Sequence, residues 1–164
     1  MLVNRCFTVF KKVLRWFLFG DTIEVLYYRS IKYSNKGAFY KYIAILCSRR
    51  INRKYACYLS QKAIVGRNIK FPHPVGIVIG DGVTIAEDAI IYQNVTLGAA
   101  RVGEGVKGLY PKIGKDVVIF AGAKVIGGIT IGDGAVIGAN SVVTKDIPAN
   151  VSAVGIPARI VGDI

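Results

Sequence analysis

The chain has 164 residues, of which 52% are hydrophobic, with mean hydropathy +0.43 and a formal net charge of +12 at pH 7. That length allows one domain and an extension. No apolar stretch approaches the roughly 20 residues needed to cross a bilayer. Cys6, Cys47 and Cys57 form no close pair and no metal-ligand spacing, which argues against a disulfide framework or a metal cluster and for a cytoplasmic setting.

Residues 1–57 hold most of the charge, with twelve Lys and Arg against Asp21 and Glu24. Apolar residues are wrapped around the basic ones: Phe7, Phe10, Leu14, Trp16 to Phe19, Ile23, Leu26, Tyr27, Phe39, Tyr40, Ile43 and Leu46. This pattern predicts two or three short helices, broken near Gly20 and at residues 34–37. Two roles fit such a segment: a helical cap on whatever follows, or a basic amphipathic surface on anionic lipid at the cytoplasmic face of a membrane. Arg5, Lys11, Lys12 and Arg15 interrupt the apolar core that a signal peptide needs. The basic residues are interleaved with aliphatics and no nucleic-acid motif occurs, so no nucleic-acid partner is expected.

From Val65 onward an aliphatic residue returns every sixth position: Val65, Phe71, Ile79, Ile85, Ile91, Leu97, Ile113, Ile119, Val125, Ile131, Ile137, Val143 and Ala149. A helix would need a period near 3.6 and a plain strand a period of two. A period of six fits short strands separated by turns of fixed length, three to a triangular coil of a parallel β-helix. The guide residues point inward and stack coil on coil, with Asp81-Gly82, Asp133-Gly134 and Ala139-Asn140 as corners. The predicted architecture is a short helical segment, 1–57, followed by a parallel β-helix over 58–164.

Two interruptions break the period. The step from Phe71 to Ile79 is eight residues and encloses His73, the single histidine; the step from Leu97 to Ile113 is sixteen and makes a Gly-rich loop, 99–111, carrying Arg101, Glu104, Lys107 and Tyr110. Surplus residues must bulge from the wall. With eighteen regular residues per turn, Phe71 should stack under Ile91, which sets His73 beside Gln93 and Asn94 and predicts that the imidazole, the two amides and the loop share one edge. A lone histidine is ordinarily a packed or solvent-bonded ring, and its place at a break in the repeat favours a functional one.

The stretches Phe71-Pro72-His73-Pro74-Val75-Gly76, Tyr92-Gln93-Asn94-Val95-Thr96-Leu97-Gly98, Tyr110-Pro111-Lys112-Ile113-Gly114, Gly138-Ala139-Asn140-Ser141-Val142-Val143-Thr144-Lys145 and Val154-Gly155-Ile156-Pro157-Ala158-Arg159 resemble the hexapeptide-repeat acyltransferases. Within them the chain is similar to the serine acetyltransferase-like branch, which includes acetyltransferases of capsule, colanic acid and O-antigen synthesis. The resemblance implies a left-handed β-helix, a homotrimer, and acetyl-CoA in a groove between subunits, with no metal. It also implies a histidine that takes the proton of the acceptor hydroxyl as that hydroxyl attacks the thioester. His73 falls on the position of that base, and imidazole, which titrates near neutrality, suits the role. Ala121, Ala139, Thr144, Lys145 and Arg159 fall where related enzymes contact CoA; corner packing for the alanines and solvated charge for Lys145 and Arg159 are the plain alternatives. Some hexapeptide-repeat proteins are carbonic anhydrases with a metal on three histidines, and this chain has one.

Against the serine acetyltransferase pattern, Pro72 stands for the serine-binding Asp beside the histidine, Tyr58 for the carboxylate that orients the base, and Tyr110 for a second histidine. A free amino acid presents an ammonium that needs a carboxylate, whereas a sugar needs hydrogen bonds and a stacking surface, which Gln93, Asn94 and Tyr110 can supply. The expected activity is therefore acetyl-CoA-dependent O-acetylation of a sugar hydroxyl, with a glycan or sugar nucleotide of surface-polysaccharide synthesis as acceptor. Serine O-acetyltransferase is the alternative within enzymes, and a non-catalytic β-helix scaffold the alternative outside them.

Overall fold

The computed structural model describes residues 22–101 and 108–164. The helical pattern read from Phe7 to Phe19, the break near Gly20, Cys6, and the loop residues Glu104 and Lys107 lie outside them.

Helix α1 spans Ile23–Ser34 and α2 spans Ala38–Tyr55, separated at residues 35–37, where Asn35 and Gly37 stop one helix and start the next. On α1 the buried side chains are Ile23, Leu26, Tyr27 and Ser30, the spacing of one helical face. On α2 they are Ala44, Cys47 and Ile51. Ala56 ends α2 in the left-handed conformation, φ 51°, with its N–H bonded to Asn52 O. Arg53 and Lys54 in the last turn face the negative end of the helix dipole favourably.

From Tyr58 the chain winds into short strands that form three parallel walls. The first wall holds β1 (Tyr58–Leu59), β3 (Val78–Ile79), β6 (Thr96–Gly98), β9 (Lys124–Ile126) and β12 (Val142–Val143). The second holds β2 (Ile64–Val65), β4 (Thr84–Ile85), β7 (Lys112–Ile113) and β10 (Thr130–Ile131). The third holds β5 (Ile90–Ile91), β8 (Val118–Ile119), β11 (Val136–Ile137), β13 (Val151–Val154) and β14 (Arg159–Asp163), the last antiparallel to β13.

Registers match the six-residue rule. Ile79 pairs with Leu97, Leu97 with Val125 and Val125 with Val143 in the first wall; Lys70 bridges Ile90, which puts Phe71 beneath Ile91 as the spacing predicts. Guide residues from Ile79 to Val143 are almost wholly buried, and each full aliphatic side chain removed from water contributes about 1.5–3 kcal/mol. A second buried column lies two residues before them, with Ile77, Val83, Ala89, Val95, Val117, Ala123 and Ala135 inside. At the last coil the period fails. Ala149 is exposed and Ile147, which bridges Ile131, takes the inward place four residues after Val143.

Corners define three edges: the first between walls one and two, the second between walls two and three, the third between walls three and one. The second edge carries one left-handed residue per coil, at Asn68, Asp88, Asp116, Gly134 and Asn150. On the third edge Gly76, Asn94, Gly122 and Asn140 do the same. Glycine alternates with Asn there because the Asn amide of the next coil occupies the space a Cβ would need: a methyl on Gly76 would run into Asn94 Oδ1, and one on Gly122 into Asn140 Oδ1.

The helices lie over the open rim of the first coil and complete its hydrogen bonds. Tyr27 Oη donates to Ser60 O, Tyr28 Oη donates to Gly66 O and accepts from Ile69 N, Glu24 Oε1 accepts from Phe71 N, and Tyr55 O accepts from Gly76 N. Burial pushes the Tyr27 phenol up, which keeps it protonated as a donor. The buried faces of α1 and α2 are thus used inside the fold, while Phe39, Tyr40, Tyr42 and Ile45 of α2 stay exposed. No helix among the described residues is long and apolar enough to cross a membrane. The lipid surface expected of residues 1–57 is accordingly withdrawn in favour of the cap for the part described.

Candidate active site

The third edge gathers most of the residues singled out by sequence. His73 sits in the eight-residue step, exposed, on a segment pinned at both ends: Phe71 N–H donates to Glu24 Oε1 at 3.0 Å and Gly76 N–H to Tyr55 O at 3.3 Å. Between them Val75 N bonds His73 O at 2.8 Å, a three-residue turn that absorbs the surplus residues, and Asn94 N bonds Val75 O at 2.8 Å. His73 lies with its ring 6.1 Å from Tyr92, which stacks on Phe120 at 5.1 Å with planes 20° apart. One aromatic ring per coil therefore runs along this edge away from the imidazole, a feature the sequence reading passed over, although Tyr92 and Phe120 each follow a guide residue directly.

Gln93 is half-buried, and its Oε1 is enclosed with no hydrogen-bond partner among the described residues. An unsatisfied buried carbonyl costs about 1–3 kcal/mol, so it is poised to accept from a bound donor. Asn94 holds a corner at φ 58°, and its backbone carbonyl accepts from Lys124 Nζ at 2.6 Å. Ala121, half-buried, and Ala139, exposed, continue the same edge one and two coils further on.

Tyr110 and the inserted loop are elsewhere. The loop follows β6, so it leaves from the first edge, where the Tyr110 ring lies on Gly80 and Gly82; a Cβ on Gly80 would stand 3.0 Å from Tyr110 Cε1. The expectation that loop, imidazole and amides share one edge is corrected: within one chain they occupy opposite ends of the first wall. The spacing contained the answer, since Leu97 lies one six-residue step beyond Ile91, the partner of Phe71, and an insertion after it must fall at the next corner. Thr144 and Lys145, both exposed, also stand on the first edge, and exposed Arg159 opens β14.

Beside Tyr110 the first edge carries a polar cluster. Lys62 Nζ and Asp81 Oδ2 are 2.8 Å apart, and Ser60 Oγ donates to Asp81 Oδ1 at 2.7 Å. The hydrogen bonds from Lys62 and Ser60 hold the Asp81 carboxyl below the usual carboxylate range. Tyr58, on the first wall, borders the same corner with Lys62 and Asp81. Glu87 and Asp88 are on the second edge, where Glu87 takes Arg67 at 3.0 Å and Asp88 accepts from Asn68 Nδ2 at 3.1 Å, and neither orients His73.

With this geometry in hand, comparison with known proteins is informative. Residues 110–145 match the family model of the bacterial transferase hexapeptide (six repeats). Over 124 residues the chain is 40% identical to a serine acetyltransferase of Buchnera aphidicola (subsp. Acyrthosiphon pisum), which covers 76% of this chain and 45% of that protein. The solved soybean serine acetyltransferase complexed with serine superposes with a TM-score of 0.76 at 35% identity, covering 85% of this chain and 56% of that one. A serine acetyltransferase in complex with CoA gives 0.71 at 35%, over 85% and 55%. The chain spans about half the length of the curated relatives it matches. These likenesses run to serine acetyltransferases and overturn the sugar O-acetyltransferase reading, with its glycan or sugar-nucleotide acceptor. The inference from Pro72 and Tyr58 considered carboxylates only at the positions of the repeat, and the fold also brings the Glu24 carboxylate against the segment that holds His73. The chain is a hexapeptide-repeat protein with the left-handed parallel β-helix fold of the serine acetyltransferases.

Proposed function

We propose that the chain is an acetyl-CoA-dependent serine O-acetyltransferase, with His73 as general base. The observation that carries this reading is an exposed imidazole at the break in the repeat, on the edge lined by Gln93, Asn94, Ala121 and Ala139. The sequence and fold likeness to serine acetyltransferases, among them proteins solved with serine and with CoA, supports it.

His73 takes the hydroxyl proton of serine as that oxygen attacks the thioester carbonyl of acetyl-CoA, giving a tetrahedral oxyanion. The intermediate collapses with cleavage of the C–S bond, the proton passes to the departing thiolate, and O-acetylserine and CoA leave. Imidazole suits this exchange because it both accepts and returns a proton near neutral pH. Gln93 Oε1 offers an acceptor for a substrate N–H, and the open column at Ala121 and Ala139 leaves room for the pantetheine arm. Lys145 and Arg159 are the cations this reading assigns to CoA phosphates. Tyr110, Thr144 and Lys145 lie on a different edge from His73, so on this reading a second copy of the chain completes the site.

The test is thiol release from acetyl-CoA with free serine as acceptor. Serine-dependent release that falls by about 10²- to 10⁴-fold in His73→Ala is expected. No release with serine, or release indifferent to the substitution, overturns the reading.

A further inference from the structure

Beside the His73 segment is a groove of about 330 Å³ between the start of α1, the end of α2 and the first coil, within the size range of small-molecule sites. Thr22, Glu24, Lys54, Tyr55, Phe71 and Pro74 line it, and the last two bracket Pro72 and His73. We propose that this groove recognises the two charged ends of an amino-acid acceptor, its ammonium on Glu24 and its carboxylate on Lys54. The inference rests on the serine reading above and names what confers acceptor specificity.

Glu24 Oε1 accepts the Phe71 N–H at 3.0 Å, which fixes the carboxylate against the segment that holds the base. A carboxylate has about four lone-pair sites, so one such bond leaves it free to accept further donors. Lys54 Nζ stands 4.9 Å from the Tyr55 ring centroid, a contact that orients the ammonium without neutralising it. Among the described residues no ion pair engages Glu24 or Lys54, with each other or with a third group. Two opposite charges that line one groove without pairing present a counter-charge to each end of a zwitterion, while a neutral polyol would leave both unmatched. The carboxylate that Pro72 and Tyr58 fail to provide thus comes from a residue 47 positions before Phe71.

The experiment uses the full chain with Glu24→Gln, which keeps an oxygen for the Phe71 N–H and removes only the charge, and with Lys54→Met. Serine binding is read by calorimetry and turnover by thiol release. Glu24→Gln should raise both the Kd and the KM for serine about ten- to a hundredfold, the effect of one charge-assisted hydrogen bond. The KM for acetyl-CoA should stay within about twofold of native on the same argument, because the donor does not touch the groove. Lys54→Met should act likewise. With 3-hydroxypropionate, which lacks the ammonium, native protein should perform as poorly as Glu24→Gln does with serine, and the substitution should cost nothing more. Unchanged serine binding in both variants, or an equal loss with 3-hydroxypropionate, overturns the inference and leaves the activity standing. Glu24-dependent serine binding without turnover overturns the activity and leaves the groove; native protein that neither binds nor acetylates serine overturns both.

Discussion

The walls and the edges of the prism obey different rules. Along a wall the guide residues are interchangeable aliphatics, and Ile79, Leu97, Val125 and Val143 do the same thing in successive coils. Along an edge no two rows are alike in purpose. The second edge is closed by its own charges, Arg67 and Lys115 on Glu87 and Lys115 N–H on Asp133 Oδ1, whereas the third leaves His73 exposed and Gln93 Oε1 without a partner among the described residues. Stability resides in what repeats, and the candidate site lies at one of the places where repetition is broken.

Substituting within a wall should have the largest effect on stability. Ile119→Ala empties a fully buried position midway along the third wall and should cost about 2–5 kcal/mol in denaturant unfolding. A loss well under about 1 kcal/mol would mean that the coils relax around a void as closely packed interiors do not. An edge substitution comes next. Gly122→Ala has to hold φ 75° with a methyl group directed into Asn140 Oδ1, and about 1–3 kcal/mol of strain is expected by the same measurement. Adding Asn140→Gly should return part of it, because the obstruction is the amide; no recovery would place the whole cost in the backbone.

The smallest effect belongs to the first edge and depends on pH. Lys62 and Ser60 depress the Asp81 carboxyl, so its folded pKa lies below its unfolded one. The stabilisation is then fully present above the ordinary carboxylate pKa of about 4 and lost as pH falls through the folded value. Melting temperatures of native protein and Asp81→Asn should differ slightly at pH 6 and converge toward pH 3. The exposure of both partners keeps the difference small, and a gap that widened toward acid would reverse the assignment.

The walls were legible in the sequence because a six-residue period has few physical solutions, and it fixed inward residues and the stacking of Phe71 under Ile91 without reference to anything distant. It failed at Ala149, where the coil shortens and Ile147 turns inward instead. The His73 side of the edge was legible as well, since counting steps sets Gln93 and Asn94 beside it. Tyr110 was misplaced by one corner through not counting the step from Ile91 to Leu97. What no count could reach is the join between helix and coil. Glu24 meets Phe71 where α1 lies over the first rim, beside the Tyr27 ring that packs on Phe71, and no repeat relates those positions. The sequence shows which carboxylates the coil lacks, and the fold brings Glu24 to it from outside.

The two ends of the prism bear on a hazard common to all stacked strands. A coil whose rim is bare offers unpaired N–H and C=O groups as a template on which another coil can grow, and identical coils can add without limit. Here Tyr27, Tyr28, Glu24 and Tyr55 occupy the donors and acceptors of one rim. At the far end β14 runs back against β13 with a register shift between Ser152 and Ala153. A reversed, irregular strand presents the wrong spacing for a further parallel coil, so the features that position Glu24 and Arg159 also keep a self-similar solenoid from polymerising.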